Sequence, residues 1–220
     1  GEITICGFVL TKEDIVVKRE FNGDAKRYEA AASDDGSLLV AVDTTVDEQM
    51  LSELRARSIV SSVQKLRKSS GLVVSDVVEV FYKIEDVKGG EAAVTAAYQL
   101  VEETLKAHKD IVKRLQSSPY PVSHRSPASV IIGTESIQDP DLIKGTFTVY
   151  LTAPAVAVNR AAVAATVGAN ETAVEAAVQY LQTLNYTATV ETETVKVGVE
   201  GVSYTFNKGE HYFASVADFL

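Results

Sequence analysis

From Thr44 to Gly71 the chain reads TTVDEQMLSELRARSIVSSVQKLRKSSG, a proline-free stretch with helical spacing. At 100° per residue, Ala56, Ile59, Val60, Val63 and Leu66 share one face, while Arg57, Ser61, Gln64, Lys65 and Lys68 share the opposite one. Thr44 or Thr45 followed by Asp47 and Glu48 marks the start, and Gly71 marks the stop. A helix with one apolar stripe must bury it against a second layer. The flanking runs supply that layer. Upstream, GFVL, DIVVKREF, YEAAASDD and SLLVAVD are separated by NGD and DDGS, the pattern of short strands joined by turns in a small sheet. Downstream, LVVSDVVEVFYKIED is β-rich and reads as strand.

After Gly89 and Gly90, the run from Glu91 to Gln116 reads as a second long helix, acidic at its start and basic at its end. SSPYPVSHRSP holds three of the five prolines, which excludes helix or central strand. ASVIIGTESI resumes as strand and DPD marks a turn. Beyond Lys144 the composition changes to Ala, Val and Thr, and the only basic residues are Arg160, Lys196 and Lys208. A domain boundary is expected there, giving domains 1–144 and 145–220. The first is expected to be a small mixed α/β domain with two long helices and a sheet. In the second, TFTVYLTAPAVAV reads as strand, RAAVAATVG and NETAVEAAVQYLQTL as helices, and YTATVETETVKVGVEGVSYTFNKGEHYFAS as two or three strands. Its outline is that of a smaller α+β domain resembling a ubiquitin-like β-grasp module. The fold class expected for the whole is α+β.

With 220 residues, 46% of them apolar, the chain has material for ordinary packed cores, and no apolar run approaches membrane-spanning length. A single cysteine, Cys6, excludes an internal disulfide and a CxxC zinc pair, so a reducing, cytoplasmic location is expected. No Gly-rich phosphate loop, HExxH, GxSxG or DFG pattern is present, and His108, His124 and His211 are far apart in sequence. No catalytic residue and no metal ligand is therefore nominated.

The net charge of −9 excludes a chain that coats nucleic acid with a uniform positive field. Positive charge is nevertheless concentrated locally. Between Leu54 and Ser75 stand Arg55, Arg57, Lys65, Arg67 and Lys68 without one Asp or Glu, and Lys106, Lys109, Lys113 and Arg114 form a second cluster at the end of the next helix. The second cluster also has a plain explanation, as cations favoured at a helix C-terminus. The first is either a solvated face or a phosphate-binding one.

LLVAVDTTVDEQMLSELRARSIVSSVQKLRKSSGLVVSDVVEVFY resembles a segment of isoleucyl-tRNA synthetases in which a strand and Asp-Thr-Thr lead into a helix. The matching positions are Glu53, Ala56, Arg57, Val63, Gln64, Leu66, Arg67, Lys68, Gly71, Leu72, Val74 and Asp76. Leu54, Arg55 and Ser58 depart from the family pattern, and the paired zinc-binding cysteines of the bacterial enzymes are missing. The continuation from Lys88 to Leu220 is similar to the extension of a eukaryotic, fungal-like cytoplasmic enzyme. HIGH-like and KMSKS-like signatures are absent, so the chain looks like an isolated C-terminal region. The resemblance implies a non-catalytic role in binding tRNA(Ile), with ATP and Mg used by the parent enzyme and no cofactor here. Arg57, Gln64, Lys65, Lys68 and Arg67 become the expected tRNA contacts, Arg67 lying nearer the apolar side with a structural role as its alternative, and Lys106, Lys109, Lys113 and Arg114 form a secondary patch. The alternative is an assembly module, whose Ala-rich second domain pairs with itself, with other synthetases or with translation factors.

Overall fold

The computed structural model describes residues 1–11, 13–15, 18–138 and 143–220. It divides into two compact units, Gly1–Met50 and Leu51–Leu220.

In the first unit, β1 (Ile3–Ile5) and β2 (Phe8–Leu10) form an antiparallel hairpin. Cys6 and Gly7 both have positive φ, as a two-residue type I′ loop requires. A second ribbon pairs β3 (Tyr28–Ala32) with β4 (Leu39–Asp43), and Arg27 clasps Asp43 at 2.9 Å beside its open end. The hydrogen bond from Arg27 holds the Asp43 carboxyl down at about 2. The small sheet expected from the sequence thus forms as two separate ribbons. The expected strand over DIVVKREF lies partly outside the described residues, at 16 and 17.

Helix α1 (Glu48–Ser69) starts in the last residues of the first unit, where Asp47 caps it through Met50 N at 2.7 Å, and from Leu51 on belongs to the second. There follow β5 (Glu79–Glu85), α2 (Glu91–Ala107), α3 (Lys109–Val112), β6 (Pro119–Pro121), β7 (Ile131–Gln138) and β8 (Thr146–Thr152). The sheet order is β6-β5-β8-β7, antiparallel except for the β5–β6 pair. The proline-rich β6 lies at an edge, where a missing N–H costs least.

Every apolar residue expected on the inner stripe of α1 is buried, and the stripe belongs to one core with Val80, Tyr82 and Ile84 of β5 and Phe147, Val149 and Leu151 of β8. A bulge in β7 at Ile131 and Gly133 shapes the sheet edge. A Cβ on Gly133 would stand 2.4 Å from Ser70 Oγ and 3.1 Å from Leu66 Cδ1, so glycine is what admits the end of α1.

The second helix is not continuous. It breaks at His108, whose φ and ψ are −112° and 44°, and restarts as α3 and a 3-10 turn, Lys113–Leu115. His108 Nε2 lies 3.0 Å from Ser52 Oγ of α1, so a cross-helix contact accompanies the break.

The remainder comprises β9 (Ala157–Val158), α4 (Arg160–Val167), α5 (Glu171–Gln182), α6 (Tyr186–Glu191), β10 (Thr194–Val199), β11 (Val202–Asn207), β12 (Tyr212–Phe213) and α7 (Val216–Phe219). Asn159, Asn170 and Asn185 cap α4, α5 and α6. These elements enclose a second core containing Val163, Val174, Leu181, Val197, Phe206 and Tyr212. The β-grasp outline is not formed: the strands pair as two ribbons, β10–β11 and β9–β12, rather than as one grasping sheet.

The composition change near Lys144 does not coincide with a break in the sheet. β8, which follows it, is hydrogen-bonded between β5 and β7, and the second core begins at Val156. The turn expected at 139–141 lies outside the described residues. The two cores of this unit meet on the far face of the sheet, where Phe81 packs with Ala157 and Val216. There the Glu79 carboxylate, 5% exposed, accepts N–H bonds from Ala155 at 3.3 Å and Val216 at 2.7 Å.

Candidate functional site

Burying Ala56, Ile59, Val60, Val63 and Leu66 leaves Arg57, Gln64, Lys65 and Lys68 exposed on α1. Two of these four are held in ion pairs. Arg57 donates to Glu53 one turn back, with Nη2 to Oε1 at 2.6 Å, and Lys65 Nζ reaches Glu135 Oε1 of β7 at 2.9 Å. The Arg57–Glu53 pair is solvated on both sides and stabilises the fold by little, about 0–1 kcal/mol, whereas Lys65 is 76% exposed on a Glu135 side chain only 23% exposed.

Lys68 and Gln64 lie elsewhere. With Arg67 they line a notch of about 280 Å3 whose other walls are Val73 and Val74 and, from the far end of the second helix, Arg114 and Gln116. Neither Lys68 nor Arg114 has an ion-pair partner among the described residues. The first expected basic cluster is therefore split, and one member of the second is brought to it. Lys106 is paired with Glu102 at 2.6 Å, and that hydrogen bond is the main cause of the lowered Glu102 carboxyl pKa. Lys109 and Lys113 are exposed and outside the notch lining.

Arg67 has a structural task, the alternative that its place nearer the apolar side of the helix left open. Its Nη2 donates to the carbonyls of Val73 and Asp76, each at 3.0 Å, while Asp76 Oδ2 accepts from Val73 N at 2.7 Å. These bonds convert the start of LVVSDVVEVFYKIED, expected as strand, into a locked turn. The turn holds Val73 and Val74 out at 59% and 77% exposure. Gln116, which ends the 3-10 turn, sits in the left-handed region at φ 64°. Helices commonly end on a residue in this conformation. The sequence reading missed Val73, Val74 and Gln116 as notch residues. Exposed valines in a turn were the one available signal.

A larger cavity, about 800 Å3, lies between the segment at Ala153 and the α5–α6 turn. It is lined by Pro154, Gln179, Gln182, Asn185 and Tyr186 among others, and carries no charged side chain. Chemistry favours the smaller notch.

No group of three or more His, Cys, Asp or Glu side chains is gathered for a metal among the described residues. His211 is buried, with Nε2 2.7 Å from Thr166 Oγ1 and Nδ1 accepting from Asn207 N at 3.1 Å. Both ring nitrogens are thus occupied inside the second core. Cys6 is exposed. Among the described residues no helix is long and apolar enough to cross a membrane.

No family model matches the chain. Part of it is similar to cytoplasmic isoleucine–tRNA ligases of eukaryotes. It is 40% identical over 88 residues to that of Arabidopsis thaliana, covering 39% of this chain and 7% of the relative. It is 35% identical over 86 residues to the probable enzyme of Dictyostelium discoideum, covering 39% and 8%, and 30% identical over 123 residues to that of Saccharomyces cerevisiae, covering 56% and 11%. The likeness is therefore not confined to fungi. The chain spans only 7% to 11% of the length of these relatives.

Proposed function

We propose that this chain is a non-catalytic, tRNA-binding C-terminal region of a cytoplasmic isoleucine–tRNA ligase. The parent enzyme attaches isoleucine to tRNA(Ile) with ATP and Mg. The chain's part is to hold the tRNA through the exposed face of α1 and the notch at its end. The observation that carries this reading is the meeting of two unpaired cations, Lys68 and Arg114, from segments far apart in sequence, within a protein of net charge −9. Around them Arg57 and Lys65, in exposed ion pairs, are available to further phosphates. Membership of a ligase polypeptide is supported by the partial identity to relatives of that name.

The assembly reading has less behind it. The inward alanines of α5, Ala173 and Ala177, are buried within the chain's own second core.

The test is binding of a tRNA(Ile) transcript by the chain, followed by fluorescence anisotropy across a salt series. The triple reversal Arg57→Glu, Lys65→Glu, Lys68→Glu is expected to weaken binding and to flatten the salt dependence by roughly 0.7–0.9 in log–log slope per lost contact. Unchanged affinity and slope would leave the basic face as ordinary solvated surface.

A further inference from the structure

We infer that strand β7 is an interface between two copies of this chain, pairing antiparallel with its own counterpart about a two-fold axis at Thr134 and joining the two four-stranded sheets into one. This contact is independent of the tRNA-binding reading.

The sheet order β6-β5-β8-β7 leaves β7 at an edge, and among the described residues its only strand partner is β8. In an antiparallel pair, alternate residues turn their N–H and C=O groups to the neighbouring strand and the others turn them away. The outward groups of this eight-residue strand are a template for a further strand. The opposite edge of the same sheet is blunted by Pro119 and Pro121 of β6. β7 has neither a proline nor a lysine. Its single charge, Glu135, is drawn to Lys65 Nζ at 2.9 Å, and Val130, Ile131 and Ile132 lie exposed at its start. Edges that stay in water are normally guarded by charge or proline, and this one is not.

Register singles out the occupant. A two-fold axis through an antiparallel ladder places one residue opposite itself, because directly opposed residues share a face. Centring on Glu135 would oppose two carboxylates, which is destabilising. Centring on Gly133 would put the bulge at Ile131 and Gly133 in the middle of the ladder, and centring on Ile137 would run past the end of β7 at Gln138. Centring on Ser136 would use a hydroxyl already shared with Thr148 Oγ1 at 2.9 Å, and would set Glu135 against Ile137. Thr134 remains. There the two exposed threonines form a favourable cross-strand pair, Glu135 meets Gly133, which has no side chain to displace, and Ile132 meets Ser136. The strand is thus complementary to itself, as a contact between identical surfaces requires. An extended segment of another protein could use the same backbone groups, but nothing in β7 selects its side chains.

The experiment is sedimentation equilibrium of the full chain over a concentration series. A reversible monomer–dimer equilibrium is expected. Thr134→Lys and Thr134→Glu each set like charges opposite one another at the axis, and each should weaken dimerisation at least about tenfold. An equimolar mixture of the two variants should dimerise again, since lysine then faces glutamate, and that recovery shows that neither variant has lost its fold. Cross-linking fixes the register. In a Cys6→Ser background, which removes the exposed native thiol, Thr134→Cys should form an interchain disulfide on mild oxidation. Self-opposed residues lie about 4.5–5.5 Å apart at Cα, within disulfide reach. Ser136→Cys should not cross-link, because the two copies of that position stand about 13 Å apart along the ladder.

Pairing through β7 is refuted if the chain stays monomeric up to millimolar concentration, which would leave the edge to a segment of another protein. It is equally refuted if Thr134→Lys dimerises as the wild type does, if the mixture of charge variants stays monomeric, or if Ser136→Cys cross-links as fast as Thr134→Cys.

Discussion

At the scale of single residues, Glu79 and Gln116 show how much one side chain is asked to do. Burial raises the Glu79 carboxyl above its ordinary value, and the N–H bonds from Val216 and Ala155 only partly oppose this. Because the folded-state pKa is raised, the folded chain holds this proton more tightly than the unfolded chain. The stabilisation from that proton is complete below the unfolded value, about 4.3, and is lost as pH rises through the folded one. The stability of the wild type relative to Glu79→Gln is therefore expected to fall as pH increases above about 4, measured by urea unfolding at stepped pH. Glu79→Ala, which strands two buried N–H groups, should cost about 1–3 kcal/mol at each pH. Gln116→Gly acts in the opposite direction. It relieves a left-handed non-glycine residue and should raise stability by about 1 kcal/mol in the same measurement.

Among the elements, α1 separates folding from recognition most cleanly. Ile59→Ala opens a cavity beneath the helix in the first core and is expected to cost about 2–5 kcal/mol, seen as a lower urea midpoint. Lys68→Ala, on the opposite face, should change stability by no more than about 0.5 kcal/mol, so any effect on RNA belongs to binding. The short helix α6 shows the reverse balance between local preference and context. TATV is rich in β-branched residues and reads as strand, yet Asn185 accepts from Thr187 N at 2.9 Å and Thr189 is buried with its hydroxyl on Asn185 O. A cap and a buried contact outweigh a weak propensity. Asn185→Ala should unwind this turn at a cost of about 1 kcal/mol, visible as faster amide exchange over residues 187–191.

Across the whole molecule, the two units differ in what protects them. Unit 2 has two cores and a shared joint around Phe81. In unit 1 the strands are open ribbons, with Phe8 at 74% exposure and Val42 at 57%. Two-stranded ribbons without a buried face are marginal in water. The amides of β1 to β4 are accordingly expected to exchange through local opening, while those of β5 and β8 exchange only with global unfolding. Equal protection in both units, measured by native-state hydrogen exchange, would contradict this.

The stripe of α1, the basic face opposite it, the glycine stop and the α+β class were all legible in the sequence, because each is written in neighbouring residues at a fixed period. That the proline segment is neither α-helix nor central strand followed from the chemistry of one residue type, while its place at the sheet edge did not. Other features depend on atoms supplied from elsewhere in the chain. Arg67 became a clamp for the turn because Val73 and Asp76 bring carbonyls to it, and the second helix breaks where His108 meets Ser52. The strand after Lys144 joined the sheet before it because β5 and β7 offered backbone partners on both sides, a demand that composition does not register. The notch joins Lys68 to Arg114 and Gln116 for the same reason: α1 and the second helix bury their apolar residues, including Leu66 and Leu115, in one core, and burial is blind to separation along the chain.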